Sequence, residues 1–157
     1  MASVSSPSAR LRELDITLPG VAAPAGSYVP ARRTGTLVFT AGQVPFVDGK
    51  LAGSGKVGAA VTAEDANALA RICAINALAA VDALVGIDNV VGVVKVVGFV
   101  ASAPGFNGQP GVINGASDVL KEIFGDAGAH ARSAVGVSEL PLDAPVEVEI
   151  IVEVSAP

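Results

Sequence analysis

The chain has 157 residues, enough for one domain built around a single core. Its 10 Lys and Arg against 15 Asp and Glu give a formal net charge of −5, which argues against binding to nucleic acid or to an anionic membrane, since both require a basic face. Hydrophobic residues form 51% of the chain and charged residues 16%, which excludes intrinsic disorder. One Cys and one His exclude an internal disulfide and a Cys/His zinc site.

The first 26 residues are rich in Ser, Pro and Ala and show little periodicity. We therefore predict a loosely held N-terminal extension at 1–26 and a single domain at 27–157. Polar residues interrupt both of the longest apolar stretches, so neither reaches the roughly 18 apolar residues that a membrane span needs. These features predict a cytoplasmic protein with no membrane contact. The mean hydropathy of +0.59 is high for a small domain and predicts an oligomer, because surplus apolar surface has to be covered.

The first half of the domain predicts strands followed by a long helix. The segment 36–40 is β-branched and aromatic, which favours a strand, and Asp48-Gly49 is typical of a hairpin turn. Thr62 is the predicted N-cap of the helix, with acidic residues in the first turn. Apolar residues then recur at helical spacing until Gly86 ends the helix.

The second half alternates strands with a helix. The valine-rich segment 89–103 is apolar on both faces, which is typical of a central strand. A helix is predicted at 112–124, a short strand at 133–137, and a strand at 146–154 in which Val or Ile alternates with Glu. This order predicts an α+β fold, a mixed sheet with two helices packed on one face.

Three features that suggest familiar sites have simpler interpretations. The G-x-G-x-x-G spacing at 53–58 follows a hairpin, and the next helix begins only at Thr62, so we interpret it as a flexible loop. His130 and Ser133 lack the nucleophile elbow of a hydrolase triad. Cys73 lies on the apolar face of the first predicted helix and is interpreted as a core residue.

Two charged residues have both a functional and a structural interpretation. Arg132 begins a predicted strand in apolar surroundings, where it is either exposed at the strand edge or a forked donor to a carboxylate ligand. Glu147 alternates with Glu149 and Glu153 along the last strand, a pattern that a solvated polar face also explains.

Several segments, in this order along residues 27–154, resemble the RidA/YjgF family, also called the reactive intermediate deaminase or L-PSP family. The most specific part is a succession of three segments: the run around Arg132 at 131–137, the pair Leu140-Pro141, and the Val-Glu-Val-Glu strand at 146–149. The resembling segments are Ser27-Tyr28-Val29, residues 37–45 (LVFTAGQVP), Val94-Lys95-Val96, Val112-Ile113-Asn114, residues 131–137 (ARSAVGV), Leu140-Pro141 and residues 146–149 (VEVE).

The resemblance implies a chorismate-mutase-like α+β subunit and a homotrimer with sites between subunits. It also implies hydrolysis of 2-imino or 2-enamino acids to 2-keto acids and ammonia, with no metal or other cofactor, because the iminium carbon is already electrophilic. By resemblance, Arg132 binds the substrate carboxylate and Glu147 lies beside the attacking water. The implied substrate-binding residues are Tyr28, Gly42, Asn114 and Ala134, of which Gly42 and Ala134 act through their backbone groups.

Two positions depart from the family pattern. Ala41 stands where a serine is usual, and Ser117 stands where a bulky aromatic is usual, so the site could accept a different or larger imino acid, or bind without turnover. The alternative function is therefore a non-catalytic module that binds or senses a small carboxylate. A ribonuclease or translation inhibitor is disfavoured by the net charge of −5 and the 4% aromatic content.

Overall fold

A five-stranded sheet organises the structure, a computed structural model that describes residues 4–157. Its strands are β1 (Ala31–Thr34), β2 (Leu37–Thr40), β5 (Val90–Ala101), β6 (Ala131–Val137) and β7 (Val146–Val154), while β3 (Phe46–Val47) and β4 (Lys50–Leu51) form a separate hairpin. The spatial order is β1-β2-β7-β5-β6. The pair β5 and β6 is parallel, and the other neighbours in the sheet are antiparallel.

The helices are α1 (Pro7–Glu13), α2 (Ala63–Val85) and α3 (Gln109–Phe124). The two long ones, α2 and α3, pack against each other and against the same face of the sheet, so the predicted α+β fold is confirmed. The predicted ends of α2 are also confirmed, because the Thr62 side chain accepts a hydrogen bond from the Asp65 amide and Gly86 follows the last turn at φ 81°.

The core lies between the sheet and these two helices. Alternate residues of β7, from Val146 to Val154, are buried against α2. On β5, Gly98 lets α3 approach closely, because a Cβ there would lie 2.7 Å from Cγ2 of Ile113. The predicted core position of Cys73 is confirmed: the thiol is fully buried, burial raises its pKa well above the ordinary value, and it donates to the Val146 carbonyl at 3.7 Å.

By length and composition alone, α2 is the one helix among the described residues that could cross a membrane. In the structure it is a core helix, since ten of its residues are buried within the domain. Its Asn76 side chain donates to the carbonyls of Val44 and Phe46 at 3.2 and 3.1 Å. These bonds join the middle of α2 to the β3 hairpin.

The N-terminal segment contains regular structure, and the prediction of a loosely held lead-in is wrong for residues 7–13. The α1 helix buries Leu11, which is only 5% exposed. Ser8 donates from its amide and its hydroxyl to the Asp88 carboxylate at 2.8 and 2.7 Å, and these bonds lower the pKa of Asp88. Arg10 donates to the Glu122 carbonyl at 2.9 Å. The helix is thus tied to the loop before β5 and to the end of α3.

Strand β1 is a second element missing from the sequence-based assignment. It pairs with β2 across a tight turn at Gly35, whose φ of 57° suits glycine. Two consecutive arginines, Arg32 and Arg33, interrupt the apolar pattern by which the other strands were predicted.

Gly115 fixes how closely α3 approaches α2, and its substitution is our first prediction. A Cβ at Gly115 would overlap the Asn67 carbonyl oxygen, whereas one at Gly111, on the same helix, meets nothing within 4 Å. We expect Gly115→Ala to lower the free energy of unfolding by about 2–4 kcal/mol through overpacking, measured by urea denaturation. The control Gly111→Ala should be neutral or stabilising by up to about 1 kcal/mol. Equal effects of the two substitutions would contradict this packing.

Candidate active site

Arg132 lies near the start of β6, an edge strand, and its side chain is half-buried against α3. It pairs in register with Val96, which is fully buried on the face that α2 and α3 cover. Its Nη1 atom donates to Oδ1 of Asn114 at 2.7 Å and to Oγ of Ser117 at 3.2 Å. Asn114 and Arg132 are therefore direct neighbours, and the guanidinium is anchored to α3.

His130 completes this cluster in a way that the sequence analysis missed. Its Nε2 atom lies 2.9 Å from Oγ of Ser117, and its Nδ1 atom lies 2.6 Å from the Gly128 carbonyl oxygen. The serine that pairs with His130 is thus Ser117, 13 residues upstream, and not Ser133. In the sequence, Ser117 is notable only as a departure from the family pattern. The packing of α3 over β6 brings Ser117 and His130 together.

The two departures from the family pattern lie in different places. Ser117 is 8% exposed, and its hydroxyl oxygen lies 2.9 Å from Nε2 of His130, so a neighbouring imidazole lies beside its small side chain. Ala41 lines a separate cleft beside Glu147. Ala134 lies on β6 two residues beyond Arg132, half-buried and packed against the core.

A cleft of about 560 Å³ brings together the three other predicted site residues, Tyr28, Gly42 and Glu147. Its walls are mostly apolar, and Glu147 is the only charged residue among them. The other lining residues are Ala22, Ala23, Pro24, Ala25, Pro30, Ala41, Gln43, Val44, Phe46, Pro141 and Leu142. Leu142 stands at the cleft 66% exposed with φ 62°, a left-handed conformation that is unfavourable for leucine.

Glu147 is held close to the backbone after β2. A Cβ at Gly42 would lie 2.8 Å from Cδ and Oε1 of Glu147, so only glycine leaves room for the carboxyl group. Burial raises the pKa of Glu147, and the nearby negative charge of Glu149 raises it further. This half-buried carboxyl group is therefore unlike a simple solvated surface residue, and a raised pKa brings it nearer to the range of a general base.

The Arg132 cluster, with Asn114, Ser117 and His130, lies on one face of the sheet, and the cleft that contains Glu147 lies on the other. Arg132 faces the helices, as its bonds to α3 show. Glu147 lies between the fully buried Val146 and Val148 and therefore faces the other way, in register with Phe99. Within one chain the guanidinium and the carboxyl group thus line different surfaces, and a single small ligand could touch both only between two copies of the chain.

Comparisons with known proteins agree on one family. A sequence model of the family described as "YjgF/chorismate mutase-like, putative endoribonuclease" matches residues 8–154. Protein TCP17 of Trypanosoma cruzi is 42% identical over 149 residues, which cover 94% of this chain and 93% of that protein.

Solved structures extend the similarity to the whole fold. Atu1372 of Agrobacterium tumefaciens, a protein of unknown function, is 43% identical with a TM-score of 0.86, covering 93% of this chain and 91% of that one. A "putative endoribonuclease" of Shewanella oneidensis is 32% identical with a TM-score of 0.92, covering 96% and 100%. Escherichia coli TdcF, solved with bound serine, is 25% identical with a TM-score of 0.63, covering 88% and 96%.

The raised pKa of Glu147 has a consequence for stability. Because the folded state holds this proton more tightly than the unfolded state, ionisation destabilises the fold as pH rises above the ordinary value of 4.5. We expect Glu147→Gln to raise the Tm by a few degrees at pH 7 and by less at pH 4, in thermal unfolding experiments. The control is Glu153→Gln, on the same side of β7 but exposed, which should shift the Tm little at either pH. A lower Tm for Glu147→Gln at pH 7 would contradict the desolvation argument.

Proposed function

Because this chain belongs to the YjgF/chorismate mutase-like family, we propose that it hydrolyses 2-imino or 2-enamino acids to 2-keto acids and ammonia at sites between the subunits of a cytoplasmic homotrimer. One observation carries the proposal: an anchored guanidinium and a desolvated carboxyl group lie on opposite faces of the same sheet. These are the two groups that a hydrolysis of this kind needs. The serine bound to TdcF supports a small amino-acid-like ligand.

Arg132 binds the substrate carboxylate in this proposal. Asn114 and Ser117 occupy Nη1, and among residues 4–157 no hydrogen bond engages Nε or Nη2. These two nitrogens form the side of the guanidinium that can hold a carboxylate through two parallel bonds. Such binding orients the imino carbon of the substrate and converts an encounter in solution into a positioned one.

Glu147 activates the water. As its carboxylate takes a proton, the water oxygen attacks the imino carbon and forms a tetrahedral carbinolamine. The substrate enters as its iminium form, and the proton held by Glu147 then passes to the nitrogen of the carbinolamine. The C–N bond breaks with its electron pair on the departing ammonia, which takes the hydroxyl proton and leaves as ammonium, so that the hydroxyl oxygen becomes the keto oxygen. Water and imino acid are consumed in equal amounts, and Glu147 returns to its starting state.

The face of the sheet opposite the helices supports the trimer. On this face Phe39 is 41% exposed and Val135 is 44% exposed, although both are large apolar residues. Half-buried Val97, Phe99 and Ile151 lie between them on β5 and β7. An apolar sheet face of this kind is stabilised when another subunit covers it. Covering it would also bury Glu147 further.

Substitutions at the two charged residues separate catalysis from binding. We expect Arg132→Ala to lower kcat/KM at least about a hundredfold, because it removes two charge-assisted hydrogen bonds to the substrate. We expect Glu147→Gln to lower kcat about 10²–10⁴-fold while pyruvate, a product analogue, still binds. The assay follows keto-acid formation from imino acids generated in situ, with Arg12→Ala, at an exposed position of α1, as the control. Pyruvate binding by a parent protein that turns over no imino acid would instead favour the carboxylate-binding module.

Mixing two inactive variants tests whether each site draws on two subunits. Arg132→Ala and Glu147→Gln chains, unfolded and refolded together in equal amounts, should recover about a quarter of the wild-type activity. The reason is that three quarters of random trimers are mixed, and each mixed trimer contains one intact site among three. Each variant refolded alone is the control. No recovery, in mixtures that mass spectrometry shows to contain mixed trimers, would place both groups of a site on one subunit.

A further inference from the structure

A chain of hydrogen bonds connects Arg132 to the backbone after α3. Nη1 of Arg132 lies 3.2 Å from Oγ of Ser117, which lies 2.9 Å from Nε2 of His130. Nδ1 of His130 lies 2.6 Å from the carbonyl oxygen of Gly128. Three side chains and one carbonyl group are thus linked without a gap.

The partners assign a role to each atom in this chain. A carbonyl oxygen can only accept, so the hydrogen of a neutral imidazole lies on Nδ1 and points at Gly128. A guanidinium can only donate, so Oγ of Ser117 accepts from Arg132. The hydroxyl hydrogen of Ser117 is then directed at Nε2 of His130, which accepts it. A neutral Nδ1-protonated histidine satisfies all three contacts at once.

The far end of the chain is fixed to α3. Gly128 is buried, and a Cβ there would lie 2.6 Å from the Leu120 carbonyl oxygen, so its backbone rests directly on the last turns of the helix. Asn114 and Ser117 belong to the same helix. Every group that binds Nη1 is therefore part of α3 or packs against it. Because α3 is a rigid helix, these bonds fix the plane of the guanidinium as well as its position.

We propose that His130 and Ser117 are positioning residues, which orient the Arg132 guanidinium so that Nε and Nη2 face the substrate carboxylate. This inference rests on the proposed role of Arg132 in carboxylate binding. Ser117 accepts from Arg132 through a lone pair of its hydroxyl oxygen, and His130 accepts the hydroxyl hydrogen, which keeps that hydrogen from pointing at the guanidinium. A side chain with no polar atom in place of Ser117 could take no part in such a chain.

Pyruvate binding, measured by calorimetry, tests the proposal without requiring turnover. We expect Ser117→Ala and His130→Leu to weaken binding about three- to tenfold, because each breaks the chain beside Arg132. His130→Gln, whose side-chain amide oxygen still accepts from Ser117, should bind within about twofold of the wild type. The control is Ser138→Ala, an exposed position beyond the end of β6. In turnover assays the two breaking substitutions should raise KM and leave kcat nearly unchanged.

The outcomes separate this inference from the proposed function. If Arg132→Ala leaves pyruvate binding unchanged, the carboxylate anchor itself is wrong. If Arg132→Ala abolishes binding while Ser117→Ala and His130→Leu bind like the wild type, only the positioning role is overturned. Binding by His130→Gln as weak as that of His130→Leu would also overturn it.

The wild-type protein offers a test that no folding defect can obscure. His130 is the only histidine in the chain, so the ¹⁵N signals of its ring need no further assignment. We expect the spectrum of a neutral imidazole protonated at Nδ1, with Nε2 accepting a hydrogen bond. A ring protonated mainly at Nε2 at neutral pH would contradict the chain.

Discussion

The contact between α3 and the parallel strands β5 and β6 is the constraint on which the rest of the structure depends. Gly98 and Gly115 remove side chains where α3 meets the sheet and α2, so the helix lies closer than a Cβ would allow. That closeness puts Asn114 and Ser117 within hydrogen-bond distance of Arg132. The same packing that excludes water from the core thus holds a positive charge at its margin, where hydrogen bonds offset the cost of partial burial.

The elements with a clear period could be predicted from the sequence. The helix α2 has both its cap residue and its terminating glycine in the expected places, and β7 occupies Val146–Val154 as the Val/Glu alternation predicts. The elements that were missed are short and depend on distant partners. The α1 helix is seven residues long and is held through Ser8 and Asp88, 80 residues apart, a contact that no local pattern shows.

In the candidate site too, the sequence indicates individual residues, whereas the contacts between residues far apart in the chain come only from the fold. Arg132 and Glu147 stand out in the sequence itself and Asn114 by resemblance, whereas the surroundings of all three depend on the fold. Gly42 and Glu147 are neighbours because β2 and β7 are adjacent, although they are more than 100 residues apart in the chain. The pairing of His130 with Ser117 could not be read from the sequence, because it depends on the rotation of α3 above β6.

The buried thiol beneath β7 has a practical consequence for experiments that test whether copies of this chain associate. Cys73 is the only cysteine, it is enclosed by the core, and its raised pKa keeps it in the unreactive thiol form. A fluorophore or spin label aimed at sulfur would therefore react at an engineered surface cysteine and leave the native one untouched. Distances between labelled copies of the chain could be measured on an otherwise unmodified background, with no cysteine-free variant to prepare first.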